Sequence, residues 1–367
     1  MRRPRLFVDV SAHGFGHLSQ VAPVLAALLE RLPALHLTIR SGLPSANLQA
    51  RIPADFTHLS ERSDFGYVMH DAVNIDLPET ALAYRRQHAE WEARVDREAR
   101  FLADLRPELV LSDVAYLPLA GAKRAGIPSV AMCSLNWADL FAHFFAGESW
   151  APAIHRQMLA AYNGAARFLR LTPGMPMPDL RRRQSIGPVA ALGNDCRRRL
   201  HEQLRLSPHE RLVLIAFGGV GKELPIANWP CRSGVRWLIP QDWQVENPSF
   251  TSFETLGLPF TDLLCSVDAV LTKPGYGTFT EATCNGTPVL YVRRPDWPEQ
   301  DPLIAWLERH GRCEEISPDD LVSGCLHEAL TALWRQPARP APRPGGAQEA
   351  AAVLLPWLAG APRLPTA

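Results

Sequence analysis

Residues able to bind an anion and a sugar crowd into Lys273-Pro-Gly-Tyr-Gly-Thr-Phe-Thr-Glu281. Gly275 and Gly277 have no Cβ, so the backbone there can come close to a ligand. Thr278 and Thr280 open a helix-like segment and are expected to cap it. The N–H groups of a helix's first turn, with the positive end of its dipole, form an anion site. Glu281, expected in that first turn, either complements the dipole or accepts hydrogen bonds from two ribose hydroxyls. Lys273 either touches phosphate or flanks a strand end. Local chemistry alone reads as a phosphate-and-sugar site of modest specificity.

Such residues work only if flanking elements hold them. Asp268–Thr272 and Pro288–Val292 are apolar, strand-like runs on either side of the helix, and Gly286-Thr-Pro288 breaks the pattern between them. This is a βαβ unit whose glycines follow the carboxyl end of its first strand, where open α/β sheets bind ligands. The chain opens the same way. Leu6–Val10 is a strand, Ser11–Gly16 a loop, and His17–Arg31 a helix with Leu18, Val21, Leu25, Leu28 and Leu29 on one face. Leu35–Arg40 is the next strand, so the loop lies at a carboxyl edge. Pro78–Leu105 reads as one long helix or a pair, Leu109–Ser112 as a strand ending in Asp113, and Ser129–Cys133 as another strand.

The pattern restarts after Ser185–Val189. A polar helix (Asp195–Leu204) leads to a strong strand (Leu212–Phe217) and the glycine loop Gly218-Gly219-Val220-Gly221. The segment from Gly221 to Pro259 is short and rich in Trp and Pro, and an apolar helix, Glu349–Leu358, closes the chain. Two runs of alternating strand and helix predict an α/β protein with two parallel-sheet domains. The expected bounds are residues 1–187, 188–345 and a tail helix in 346–367.

The 367 residues carry 38 Lys+Arg against 38 Asp+Glu, a balance that argues against a nucleic-acid binder. Arg181–Arg183 and Arg197–Arg199 read as solvated surface ahead of a phosphate or membrane contact. Seven scattered cysteines, without Cys-x-x-Cys spacing, fit reduced thiols in a cytoplasmic protein. The apolar run after Met1 is too short for a signal peptide. The aromatics from Trp137 to Trp150 are expected in the core and cleft wall, with an apolar acceptor surface or a peripheral membrane contact as the alternative.

Ser11-Ala-His-Gly-Phe-Gly-His17, Lys273–Glu281, Gly286–Arg293 and Arg294-Pro-Asp-Trp-Pro-Glu-Gln300 together resemble the GT-B nucleotide-sugar glycosyltransferases. The likeness is to the peptidoglycan N-acetylglucosaminyltransferase and to the glycosyltransferase-like half of plant L-arabinokinase. Its specific parts are these motifs near the two ends of the chain. The resemblance implies two Rossmann-like domains facing across a cleft, with the nucleotide sugar, a UDP-sugar, on the C-terminal domain and the acceptor on the N-terminal one. It further implies a last helix that returns to the N-terminal domain.

Carried over by motif, Gly275, Gly277 and Thr278 would contact the diphosphate and Glu281 the ribose. Glu299 and Gln300 would face the donor sugar, and Gly218 and Gly219 would form a second glycine loop. His17 takes the Gly-His position near the reacting hydroxyl; His13, beside Gly14 and Gly16 in the acceptor-side loop, is its rival. Asp113 is the candidate to orient the histidine, or else caps a turn. Arg293 and Arg294 meet either phosphate or solvent. Many relatives carry Arg where this chain has Gln20. Transfer to a hydroxyl needs a base and stabilisation of the departing diphosphate, and a His and a helix N-terminus can supply both. No Asp-x-Asp triplet lies near these motifs, so the expected chemistry is metal-independent, with the nucleotide sugar as substrate and no cofactor. The alternatives are a nucleotide-sugar 2-epimerase and a non-catalytic nucleotide-sugar-binding protein on the same fold.

Overall fold

The computed structural model describes residues 3–70, 74–218, 224–230, 234–245 and 247–359. They divide into two compact units, one of Met1–His70, Ile75–Val189 and Gly345–Ala367, the other of Asp71–Asn74 and Ala190–Pro344.

The first unit is built on strands β1 (Arg5–Val10), β2 (His36–Arg40), β3 (Phe56–Leu59), β4 (Leu109–Asp113), β5 (Ser129–Cys133), β6 (Arg167–Arg170) and β7 (Arg183–Ser185). All pair in parallel in the order β3-β2-β1-β4-β5-β6-β7. A parallel sheet is covered on both faces, so its central strands read as unbroken apolar runs. Leu109, Val110 and Leu111 are accordingly fully buried. The order reverses between β1 and β4: the chain winds outward from β1 in one direction and from β4 in the other. This switch point opens a crevice at the carboxyl ends of the two strands.

The second unit repeats the plan with β8 (Arg211–Ala216), β9 (Val235–Ile239), β10 (Phe250–Ser252), β11 (Ala269–Thr272), β12 (Val289–Val292) and β13 (Cys313–Ile316). These strands are also parallel, ordered β10-β9-β8-β11-β12-β13, and the reversal falls between β8 and β11. In the short Trp- and Pro-rich segment both strands are present, while the described connections are single turns of 3₁₀ helix such as Gln241–Trp243.

Several elements differ in detail from the sequence reading. The first helix begins at Phe15, two residues early, so His17 is the third residue of the helix and not its first. Pro78–Leu105 is two helices, Leu77–Ala89 and Trp91–Leu105. The final helix runs from Gly346 to Leu358 and belongs to the first unit, where it packs against the helix Phe15–Arg31. Its small face makes that approach possible: Ala347, Ala350, Ala351 and Leu354 are buried. A Cβ at Gly346 would stand 2.1 Å from the Gly187 carbonyl oxygen. The Gly346 N–H donates to Pro188 O at 3.0 Å and the Gly187 N–H to Glu349 Oε2 at 3.1 Å.

Candidate functional site

In the first unit the switch point gathers the helix Phe15–Arg31, the end of β4 and the end of β5. His17 is buried, and its Nδ1 lies 3.1 Å from Asp113 Oδ2 and 3.4 Å from Oδ1. Asp113 closes β4, is fully buried, and is followed by Val114 at φ 67, a strained conformation for a β-branched residue. The turn is held from two sides: Ser112 Oγ donates to Ala115 O at 2.6 Å and Tyr162 OH to Val114 O at 2.6 Å. Burial pushes the Asp113 carboxyl up from its ordinary pKa, and the charge and hydrogen bond of His17 pull it back. When Asp113 is ionised, Nδ1 carries the imidazole proton and Nε2 is left as the proton-accepting nitrogen. Cys133 Sγ lies 4.0 Å from the same Nδ1.

The loop before this helix is organised by a residue absent from the motif reading, Asp64. It accepts from Ser11 Oγ at 3.1 Å and from Trp137 Nε1 at 2.8 Å. Ser11 Oγ in turn accepts from the His13 N–H at 3.3 Å, and the His13 ring meets Trp137 edge-on with centroids 5.4 Å apart. Gly66, at φ +61, makes room for both rings, since a Cβ there would stand 2.9 Å from His13 and 3.0 Å from Trp137. Desolvation, then the charge of Asp9, raise the Asp64 carboxyl to about 6 against the pull of Trp137, His17 and Ser11. Its only sequence signal was an acidic residue in an irregular segment. Gly14 and Gly16 face open space where a Cβ would point, so their value is room beside the backbone. Gln20 is internal: its Nε2 donates to Ser134 Oγ at 3.3 Å and its Oε1 accepts from Ser134 N at 3.2 Å, tying the helix to the end of β5. Trp137, Phe141 and Phe145 are buried core, as expected for that aromatic run.

In the second unit the helix Tyr276–Cys284 starts directly after the turn that ends β11. Gly275 is its N-cap and no side chain caps it. Thr280 is not a cap. It lies a turn inside, fully buried, with Oγ1 donating back to Tyr276 O at 2.7 Å. Glu281 likewise sits in the second turn, only 2 % exposed, too deep to complement the dipole at the first turn. After burial, it is the charge that helps push the Cys284 thiol up to about 12. Thr278 and Lys273 are half-buried, and Gly277 is in the helix's first turn. Gly218, two residues past β8, has φ +78, a conformation glycine adopts without strain. Gly219 lies outside the described residues.

The segment after β12 is a self-braced loop. Gln300 Oε1 accepts from Arg294 N at 3.0 Å and its Nε2 donates to Arg294 O at 3.0 Å. Glu299 Oε2 accepts from Trp297 Nε1 at 3.1 Å. The Arg294 guanidinium stacks on the Trp297 ring at 4.0 Å, and its buried Nε has no hydrogen-bond partner. Burial lowers its pKa to about 10 while Glu299 raises it. Arg293 is engaged with Glu315 at 3.0 Å and Asp301 at 3.0 Å. Glu299 and Gln300, which the resemblance implies face the donor sugar, both make hydrogen bonds inside this loop.

A cation could be shared by His17 Nδ1, an Asp113 oxygen and Cys133 Sγ, which all lie within 4.8 Å of one another. It would displace the imidazole proton that faces Asp113. No helix among the described residues is long and apolar enough to cross a membrane.

No family model matches the sequence. The chain is 25% identical over 328 residues to L-arabinokinase of Arabidopsis thaliana, covering 86% of itself and 30% of that protein. It thus spans under a third of the length of this curated relative. Among solved structures it resembles the glycosyltransferase of kitacinnamycin (TM-score 0.61, 16% identity, covering 97% of this chain and 100% of that one). It also resembles a UDP-glucosyltransferase from Polygonum tinctorium (TM-score 0.56, 14% identity, 98% and 99% covered). With its two parallel sheets and their switch points, the chain has the GT-B fold of the nucleotide-sugar glycosyltransferases.

Proposed function

We propose that this protein is a glycosyltransferase that moves a sugar from a nucleoside-diphosphate donor, with UDP as the nucleotide, to an acceptor hydroxyl, without a metal ion. The observation that carries the reading is the buried His17–Asp113 pair at the first switch point, with Nδ1 hydrogen-bonded to Oδ1 at 3.4 Å and 3.1 Å from Oδ2. The imidazole Nε2 then removes the acceptor's proton as the hydroxyl oxygen attacks the anomeric carbon. The bond from that carbon to the diphosphate breaks, and its electron pair leaves on the terminal phosphate oxygen. The helix N-terminus at Gly275–Thr278 takes the diphosphate charge, supported by Lys273. Glu281 takes the ribose hydroxyls, a charge-assisted pairing that is strong in so buried a place. Gly218 lines the nucleotide side, and His13, Gly14 and Gly16 leave space for the acceptor. Glu299 and Gln300 keep the loop that bears Arg294 in shape next to the donor sugar.

Support for the uridine nucleotide comes from the similarity to a UDP-glucosyltransferase. The test has two stages. Calorimetry with UDP and a panel of UDP-sugars measures donor binding, which the Glu281→Ala variant weakens. Donor turnover is then compared between wild type and His17→Ala. Binding without any turnover in wild type would identify a non-catalytic nucleotide-sugar binder, and C2 inversion of the sugar without transfer would identify an epimerase.

A further inference from the structure

At the opposite edge of the second sheet, a cavity of about 190 Å³ lies where strands begin and not where they end. Arg211 starts β8, Asp268 precedes β11, Pro288 precedes β12 and Arg312 precedes β13. β11 has four residues, so at about 3.3 Å each this edge is roughly 13 Å from the Lys273–Gly275 turn. Arg197 and Trp334 complete the polar wall.

Three guanidinium groups line the cavity with one carboxylate, Asp268, and two of them share it. Arg197 Nη1 and Arg211 Nη1 each stand 3.7 Å from the same oxygen, Asp268 Oδ1, too far for a hydrogen bond. The other oxygen of Asp268 is already used by the Leu212 N–H at 2.8 Å. Asp195 meets the Arg197 backbone N–H and not its guanidinium. Arg312 makes one long hydrogen bond, 3.5 Å to Gly286 O. Trp334 holds Arg211 in place: the guanidinium lies 4.6 Å over its ring, while the indole N–H is fixed on Asp268 O at 3.1 Å. A planar cation stacked in this way keeps its edge donors for another partner. The local balance is three positive charges to one negative, with most guanidinium N–H groups unspent.

From this convergence we infer a second anion site, which takes a small multivalent oxyanion of the phosphate or pyrophosphate class between Arg197, Arg211 and Arg312. The cavity is below the range that encloses drug-sized ligands, so it selects an ion over a nucleoside. Two or three guanidinium forks on one oxyanion give the bidentate geometry that phosphate oxygens match. The site stands on its own whether or not the transferase reading holds, because it shares no residue with the donor turn.

The test is titration of the full chain with inorganic pyrophosphate, by calorimetry and by amide and indole NMR, at constant ionic strength and with UDP both absent and saturating. With UDP saturating the donor turn, one pyrophosphate site is expected, with shifts at Gly286 and at the Trp334 indole, and its Kd is the same when UDP is absent. The double variant Arg197→Gln/Arg312→Gln should weaken pyrophosphate at least tenfold, while Glu281→Gln leaves it unchanged. Melting curves of the double variant check that it folds. If it does not, Arg312→Gln alone serves, with at least a threefold loss. Equal affinity in a folded variant, shifts confined to residues 275–278, or one-for-one displacement by UDP would overturn the site.

Discussion

His17 and Asp113 are 96 positions apart in the chain, yet Nδ1 of one lies 3.1 Å from Oδ2 of the other. β1 and β4 are neighbours in the sheet, so the helix that follows β1 starts beside the residue that ends β4. A proton-accepting Nε2 depends on that adjacency.

His17→Ala should therefore lower donor turnover by about 10²- to 10⁴-fold, the contribution of a positioned general base, with UDP affinity kept within about twofold. Asp113→Asn presents an amide N–H to Nδ1 and favours the wrong tautomer, lowering kcat by about 10²-fold or more while the fold survives. Steady-state kinetics paired with UDP calorimetry check both. Turnover unaffected by His17→Ala would remove it as the base.

Asp64 makes stability depend on pH in a stated direction. Its carboxyl is raised from 3.8 to about 6 on folding, chiefly by desolvation. A carboxyl raised in the folded state contributes stability that is present below about pH 4 and lost as pH climbs through about 6. Asp64→Asn has no proton to lose. The stability of wild type relative to this variant should thus fall between pH 4 and 6, by on the order of 2 kcal/mol. Urea denaturation at pH 4, 5, 6 and 7 measures it; a constant difference would refute the assignment.

Gln300 separates a brace from a sugar ligand. Both ends of its amide bind the Arg294 backbone at 3.0 Å in a buried site. Gln300→Ala should cost about 1–3 kcal/mol of stability without any ligand present, since a buried N–H and C=O lose their partners. A variant as stable as wild type that bound the donor poorly would return Gln300 to a direct role.

Gly346→Ala tests how the last helix is seated. The added methyl would meet Gly187 O at 2.1 Å, and the start of the helix must move away from Gly187 to accommodate it. The expected loss is about 1–3 kcal/mol, read by thermal or urea melting. An unchanged midpoint would show that the helix does not depend on that approach.

Metal independence is checked by turnover before and after dialysis against EDTA, which should agree within about twofold. Added Zn²⁺ should inhibit, because holding it between His17, Asp113 and Cys133 costs the Nδ1 proton, and Cys133→Ser should blunt the inhibition. Loss of activity on chelation, restored by a divalent ion, would contradict the proposed chemistry.

What local sequence could determine was the set of elements and their punctuation. Apolar runs such as Leu109–Leu111 and the glycine turns after β1, β8 and β11 are properties of neighbouring residues. They were enough to predict two parallel-sheet units and the loops at their carboxyl edges; the return of the last helix to the first unit came from the family resemblance alone. Helix phase was less legible. One early start at Phe15 put His17 two residues inside its helix, and the start at Tyr276 moved Thr280 and Glu281 into a second turn.

Only the tertiary structure decided which side chains meet. Strand order set the switch points, and with them the His17–Asp113 pair. A loop 53 residues away supplied Asp64 to Ser11. The amino edge of the second sheet brought Arg197, Arg211 and Arg312 around Asp268. Periodicity in a chain records which face of an element is buried, because that face repeats every two or 3.6 residues. It holds no record of which other element covers that face, and the partnerships of His17 with Asp113, Asp64 with Ser11 and Gln20 with Ser134 are made across elements.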